Sequence, residues 1–332
     1  ESPKSFQVAC TVMTQIIAQV ASSQYGGQSV DIRHLGRYLR RSYEKYESML
    51  QEVVSDNHER QIAVNKLLRK ELESGVQTIQ YQINTLMTTN GQSPFVTLFL
   101  NIEEDDEYAK EVAMIVEEIL KQRLEGIKNE KGIYTTPTFP KLIYVLHEHN
   151  CLEGGKYDYV TNLAAACSAK RLYPDYISAK EMKKIYEGNV FSCMGCRSFL
   201  SPWKDEEGHY QFEGRFNQGV VSLNLPQIGI VAAGDENIFW KLLDNRLNLC
   251  FEALMCRHEA LKGTLSDESP IHWQHGAIAR LQKGQVIDPL LMDGYSTISL
   301  GYIGLYEATL LMTGVSHTQP EGEAFALKVM HK

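Results

Sequence analysis

The chain has 332 residues and a net charge of −8, with 43% hydrophobic and 22% charged residues. That length can bury one large core or two smaller ones, and the acidic balance excludes a nucleic-acid-coating surface. No apolar run reaches the length of a membrane span and the start lacks a signal-like apolar stretch; seven thinly spread cysteines suit a reducing cytoplasm rather than a disulfide scaffold.

Residues 4–22 place Val8, Val12, Ile16 and Val20 at helical spacing and stop at Gly26-Gly27, which predicts a first helix. Asp31 is an N-cap for a helical stretch running to about Val54. A second long helix is expected over 58–88, through Leu67, Leu72, Val76, Ile79, Ile83 and Leu86. Asn90-Gly91 is a turn signal, and residues 94–100 read as a buried strand. Then follow a helix over 105–127, a strand over 142–146, a helix over 156–171 and an extended segment from Tyr176. A strand over 220–225, a long helix over 236–262 and helical stretches over 270–283 and 303–313 complete the chain. Helices alternating with short apolar strands give an α/β class with a helical N-terminal third. The chain opens without methionine and closes in an amphipathic helix over 321–332 that has no stop signal, so both ends are expected to be cut.

The run from Asn189 to Trp203 sets two thiols, Cys193 and Cys196, three residues apart beside Gly195. It lacks a helical apolar stripe and reads as a strand leading into a tight loop. A structural zinc normally needs four ligands, and no second C-x-x-C is present. A thioredoxin-like dithiol would open a helix, for which Phe199-Leu-Ser-Pro-Trp203 is a poor start. Cys250 and Cys256 fall on different faces of a helix, and Cys10, Cys151 and Cys167 are isolated.

Cys193-Met-Gly-Cys-Arg-Ser-Phe-Leu200, followed by Gly214-Arg-Phe-Asn-Gln-Gly-Val-Val-Ser-Leu-Asn-Leu-Pro226, closely resembles the anaerobic (class III) ribonucleoside-triphosphate reductases. Residues 15–27, 75–86 with 90–95, and 272–281 fit the same family, so the resemblance runs from end to end. It implies part of a ten-stranded α/β barrel made of two antiparallel half-sheets, with a finger loop, here 189–203, carrying a reactive cysteine to the centre. On that resemblance the whole chain is one truncated barrel domain. Residues 1–90 are its mainly helical dimer and effector side, and 91–332 hold barrel strands and helices.

The resemblance implies replacement of a ribose 2′-hydroxyl by hydrogen, started by a thiyl radical on Cys196 that takes hydrogen from C3′. Met194 and Ser198 flank that thiol at two residues on either side. Neither is ionisable, so a carboxylate base must come from elsewhere, and the formate-dependent branch shows the same departure. Asn217 stands where other ribonucleotide reductase classes carry a second cysteine, which again points to formate as reductant. Its amide can donate to and accept from formate or ribose hydroxyls; the plainer reading is a turn residue beside Gly219. Cys193 is expected to be a bystander able to form an air-induced disulfide with Cys196. Ser22, Ser23 and Gln24, with Asn90, Gly91, Gln92 and Ser93, are expected either to line the substrate cavity or to act as helix-end and turn residues. Gln77, Gln80 and Gln82 are candidates for an allosteric deoxynucleotide near a homodimer interface. Arg33, Arg37, Arg40 and Arg41 read as a solvated helix face rather than a phosphate site.

The resemblance places the radical glycine, a zinc site and the second catalytic cysteine outside this chain, and it implies ribonucleoside triphosphates, dNTP or ATP effectors and a radical-SAM activating enzyme as partners. The piece is expected to be inactive alone. Two competing readings are another glycyl-radical enzyme, whose pyruvate-lyase type carries adjacent cysteines instead of Cys-Met-Gly-Cys, and a nucleotide-sensing dimerisation module without chemistry.

Overall fold

Three helices open the chain, and the first and third start at side-chain caps. Helix α1 (Phe6–Ser22) starts where the Ser5 hydroxyl accepts the Val8 N–H, and α3 (Asn57–Thr85) starts where Asp56 accepts the Glu59 N–H. Between them lies α2 (Gly36–Gln51). The buried residues of α3, Val64, Leu68, Leu72, Val76, Ile79 and Ile83, recur every three or four residues and form one stripe. Gly75 lets α1 and α3 approach closely: a Cβ there would lie 2.5 Å from the Phe6 ring.

The computed structural model describes residues 2–89, 91–194 and 198–332. They form two compact units, which divide between Phe199 and Leu200. The first contains a sheet of four parallel strands in the order β1-β2-β5-β6: β1 (Gln28–Asp31), β2 (Val96–Leu100), β5 (Lys141–Leu146) and β6 (Asp175–Ser178). A small hairpin, β3 (Ile127–Lys128) with β4 (Tyr134–Thr135), precedes β5. Alternation along the strands separates two faces. Leu98, Leu100, Leu142 and Tyr144 pack with α1–α3, α4 (Ala109–Glu125) and α6 (Asp158–Arg171) in one large core. Phe99, Ile143 and Val145 turn the other way, toward Cys193 and Ala179, the first residue of α7 (Ala179–Ile185). A one-turn helix, α5 (Glu148–Cys151), follows β5. The helical first third therefore shares its core with the strands that follow.

In the second unit, β7 (Asn217–Asn224) pairs in parallel with β8 (Thr297–Ile303). The core beside this pair joins Leu223 to α8 (Leu225–Ala232), α9 (Glu236–Leu261), α11 (Leu305–Thr313) and α12 (Pro320–His331) through Ile228, Phe239, Leu243, Ala308, Phe325 and Val329. No helix among the described residues is long and apolar enough to cross a membrane.

Several expectations need correcting. The helix expected over 270–283 is one turn, α10 (Pro270–Trp273). Gly276 adopts φ +91°, and the Ile278 and Ala279 N–H groups fold back on the His272 carbonyl. The stretch capped by Asp31 begins as a 3-10 turn before α2 and ends at Gln51. Strands β1 and β8, the β3–β4 hairpin, and helices α7 and α8 were not anticipated. The strand expected to lead into the Cys loop is absent: residues 189–194 join no ladder.

Candidate functional site

Cys196 lies outside the described residues, as do its neighbours Gly195 and Arg197. The residues on either side define how its loop is mounted. The Met194 N–H donates to the Ser198 carbonyl at 2.8 Å, closing a tight turn whose two ends are both half-buried. Below the turn, the Ser29 hydroxyl on β1 donates to the Cys193 carbonyl at 2.6 Å. The Cys193 side chain is fully buried against Phe99, Ile143, Val145 and Ala179, on the sheet face that α1–α4 and α6 leave uncovered. Three rings clamp the stems: Tyr186 lies 4.9 Å from Phe191 and 5.8 Å from Phe199, and those two are 5.9 Å apart. Aromatic contacts of this kind add specific geometry to the burial of large apolar area. One main-chain hydrogen bond, an apolar footing and an aromatic clamp thus do the work expected of a strand.

Asn217 is the first residue of β7 rather than a loop residue before it. A β-bulge between Asn217 and Gly219 lets the Gly219 N–H donate to Asn217 Oδ1 at 2.7 Å. Gly219 adopts φ +151°, and a Cβ there would lie 2.5 Å from the Arg257 guanidinium. Extra residues of this kind re-aim side chains. Here the amide nitrogen of Asn217 is turned onto β8, where it donates to Thr297 Oγ1 at 3.2 Å and to Ser299 Oγ. On the next position Gln218 is held by the Leu291 carbonyl and Ser296, and its own oxygen meets His258 Nδ1 at 2.8 Å.

The two polar segments expected near the site do come together. The Ser22 hydroxyl accepts the Thr89 N–H at 3.2 Å, and the Ser22 carbonyl accepts the Thr89 hydroxyl at 3.1 Å. Both segments precede strands, so they sit at the N-terminal ends of β1 and β2. Ser23, Gly91, Gln92 and Ser93 are exposed and Gln24 is half-buried; Asn90 lies outside the described residues. On α3, Gln77 is exposed and Gln82 half-buried. Gln80 is buried, its amide donating to Gln122 on α4 at 3.4 Å. Of the arginine cluster, Arg33 pairs with Asp31 and Glu103, each at 2.7 Å, and Arg40 pairs with Glu111. Arg37 and Arg41 lie over the Tyr38 ring. These arginines are engaged with acidic and aromatic side chains of the same unit.

Thr297, Ser299, the half-buried His147 and the buried Arg123 escaped sequence reasoning. At the C-terminal end of β5, His147 Nε2 is 2.7 Å from Asn101 Oδ1. Its ring also takes part in a reciprocal cap with Asn150, and burial together with the stacked His149 pushes it down to about 4. Arg123, almost wholly buried, donates to the Pro137 and Pro140 carbonyls, and burial lowers it to about 10. Nothing local in the sequence signals either arrangement.

The family model for anaerobic ribonucleoside-triphosphate reductase matches residues 1–332. The chain is 42% identical over 328 residues to the anaerobic ribonucleoside-triphosphate reductase of Enterobacteria phage T4, covering 94% of this chain and 52% of that protein. It thus spans about half the length of the curated relative. Among solved structures, the anaerobic ribonucleotide reductase from Thermotoga maritima with glycerol in its active site superposes with a TM-score of 0.62 at 15% identity. All of this chain and 51% of that one are covered. The same Thermotoga enzyme in complex with dATP and CTP gives 0.58 at 16% identity, covering all of this chain and 52% of that one. At those identities the likeness speaks for the fold, part of the reductase α/β barrel, while the match along the whole sequence speaks for descent. The chain belongs to the anaerobic ribonucleoside-triphosphate reductase family.

Proposed function

We propose that this chain carries the cysteine-loop part of an enzyme that reduces ribonucleoside triphosphates to deoxyribonucleoside triphosphates without oxygen. The observation that carries the reading is the mounting of the Cys193–Ser198 turn on the sheet face left open by the helices, within a sequence that matches the family throughout. As a thiyl, Cys196 takes a hydrogen atom from C3′ of the ribose, and an S–H bond forms as the C–H bond breaks. The 2′-hydroxyl leaves as water, formate is oxidised to carbon dioxide, and the hydrogen returns to the sugar. Net, one formate and one proton convert the C2′–OH to C2′–H, with carbon dioxide and water released. Met194, Ser198 and Asn217 are uncharged at neutral pH, so the carboxylate in this scheme is formate's own.

A glycyl radical in the longer protein supplies the initial radical, after the action of a radical-SAM activating enzyme. Among the described residues no three or more His, Cys, Asp or Glu side chains are placed to hold a metal, and the family's zinc is assigned to the remainder of the protein. The complex of the Thermotoga relative with dATP and CTP supports nucleotide substrates and effectors here. Residues 22–24 and 90–93 are assigned to the substrate cavity. The effector is assigned to α3, with Gln77 and Gln82 outward and Gln80 transmitting through Gln122. A cytoplasmic homodimer, oxygen sensitivity and inactivity of the piece alone belong to the same proposal.

The test is anaerobic reduction of a ribonucleoside triphosphate by the full-length protein with its activating enzyme and labelled formate, with wild type set against Cys196→Ser. Deoxynucleotide and labelled carbon dioxide from wild type only is the expected result. Equal turnover by both proteins overturns the assignment of Cys196.

A further inference from the structure

The hydrogen bonds of Asn217 leave little of its amide for a ligand. Its Oδ1 accepts the Gly219 N–H at 2.7 Å, and because a backbone N–H can only donate, this contact fixes which end of the amide is oxygen. The Nδ2 group has two protons. One goes to Thr297 Oγ1 at 3.2 Å and the other to Ser299 Oγ. Both protons are therefore committed to β8.

The consequence falls on the two hydroxyls. Each accepts from the amide, so each must send its own proton elsewhere, and neither has an acceptor for that proton among the described residues. Thr297 and Ser299 are two apart on one strand and so share a face. Both are half-buried. Their face differs from the one that carries Val221 and Leu223 into the helical core. A glycine follows at the next position on that face, where a Cβ would meet the Ser222 hydroxyl at 2.9 Å.

We propose that the hydroxyls of Thr297 and Ser299, rather than the Asn217 amide, donate to the small carboxylate co-substrate, and that Asn217 is a positioning residue aiming both hydroxyl protons outward. The inference rests on the reading under Proposed function. Two outward donors suit a ligand group that only accepts, as an ionised carboxylate does. A ribose hydroxyl could accept from the pair but brings a proton of its own that needs a separate acceptor, whereas a carboxylate brings none.

The experiment measures the rate of the activated full-length enzyme against formate and, separately, against nucleotide. Ser299→Ala and Thr297→Val keep the shape of the strand and remove one donor each. Each is expected to raise the formate KM by roughly tenfold, the usual scale for one hydrogen bond to a charged group, with the nucleotide KM within about twofold. Ser299→Thr restores the hydroxyl and is expected to restore the formate KM, which separates donation from packing. Asn217→Asp is isosteric but accepts where the amide donated, so it draws both hydroxyl protons inward; its formate KM is expected to exceed that of either hydroxyl variant.

An unchanged formate KM in both Ser299→Ala and Thr297→Val overturns the inference while leaving formate as the reductant, and so does a rise confined to the nucleotide KM. A wild-type rate that does not depend on formate overturns the underlying reading and the inference with it. Thermal melting of each variant identifies loss of folding, and Ser299→Thr supplies the folded comparison.

Discussion

His147 offers a pH-dependence whose sign and size follow from its surroundings. The Asn101 side-chain amide donates to Glu103 at 2.9 Å, so its oxygen faces His147 and Nε2 of the ring carries a proton. The other ring nitrogen accepts the Asn150 N–H in the reciprocal cap. Protonating that nitrogen destroys the cap. Burial first, then the charges of His149, Lys183 and Arg33, hold the ring down to about 4 from 6.5. The folded state therefore binds fewer protons than the unfolded state between those values. The associated stability is complete above about pH 6.5, falls as the pH falls toward 4, and is level below that. Each tenfold loss of proton affinity corresponds to about 1.4 kcal/mol, so the full shift corresponds to about 3 kcal/mol, reduced to about 2 by the partial exposure of the ring. His147→Asn keeps a cap acceptor and removes the titration. The assay is the urea midpoint for loss of amide protection in peptides spanning residues 141–151, from pH 7.5 to pH 4.5. With a urea slope of roughly 2 kcal/mol per molar, wild type is expected to lose about 1 M more in midpoint than the variant. Parallel curves for the two proteins would refute the argument, because every other titrating group is common to both.

Further outcomes test the packing. Arg123→Met leaves the Pro137 and Pro140 carbonyls without their donor and is expected to destabilise the first unit by roughly 2–4 kcal/mol in chemical denaturation, with Arg123→Lys recovering only part. Gly75→Ala drives a methyl into the fully buried Phe6 ring and is expected to cost about 1–3 kcal/mol, seen as lost amide protection in α1 and α3. Alkylation of the native protein, read by mass spectrometry, is expected to modify the exposed Cys151 and Cys256 ahead of the buried Cys10 and Cys193, which are left until urea is added. Burial raises the Cys10 thiol well above its usual range and so removes the reactive thiolate.

What the sequence disclosed and what it withheld divide along the range of the interactions. Helical periodicity is local, and α1, α3 and α9 lie within a few residues of their expected bounds. On α1, however, the expected stripe is mostly wrong: Val8, Val12 and Ile16 are exposed, and Phe6, Cys10, Ile17 and Val20 face the core. Strand β1, Gln-Ser-Val-Asp, has one apolar residue and is a strand because β2, almost seventy residues later, supplies its hydrogen bonds. Strand β8 does alternate, through Ile298, Leu300 and Tyr302, but Gly301 interrupts it and its partner β7 lies about eighty residues earlier. Strand propensity reflects such neighbours more than the chain itself. The Cys loop was legible through its motif and not through its conformation. Asn217 was legible as a residue type, whereas its ties to Thr297 and Ser299 depend on the β7–β8 register and a bulge that no spacing rule contains. Arg123, in the last turn of α4, reads as an ordinary cation at a helix C-terminus; only the packing of residues 137–140 over it makes it a buried clamp.

The rings of Tyr186, Phe191 and Phe199 make the cysteine turn a fixture with its own foundations. The stems are gripped and the Cys193 carbonyl is tied to β1, so the ordering of residues 186–193 is held by contacts with the sheet and with one another. Side chains at 194 and 198 can then be exchanged without disturbing the foundations. A scaffold that grips the stems separately from what they carry leaves positions 194 and 198 open to substitution while the sheet beneath stays the same.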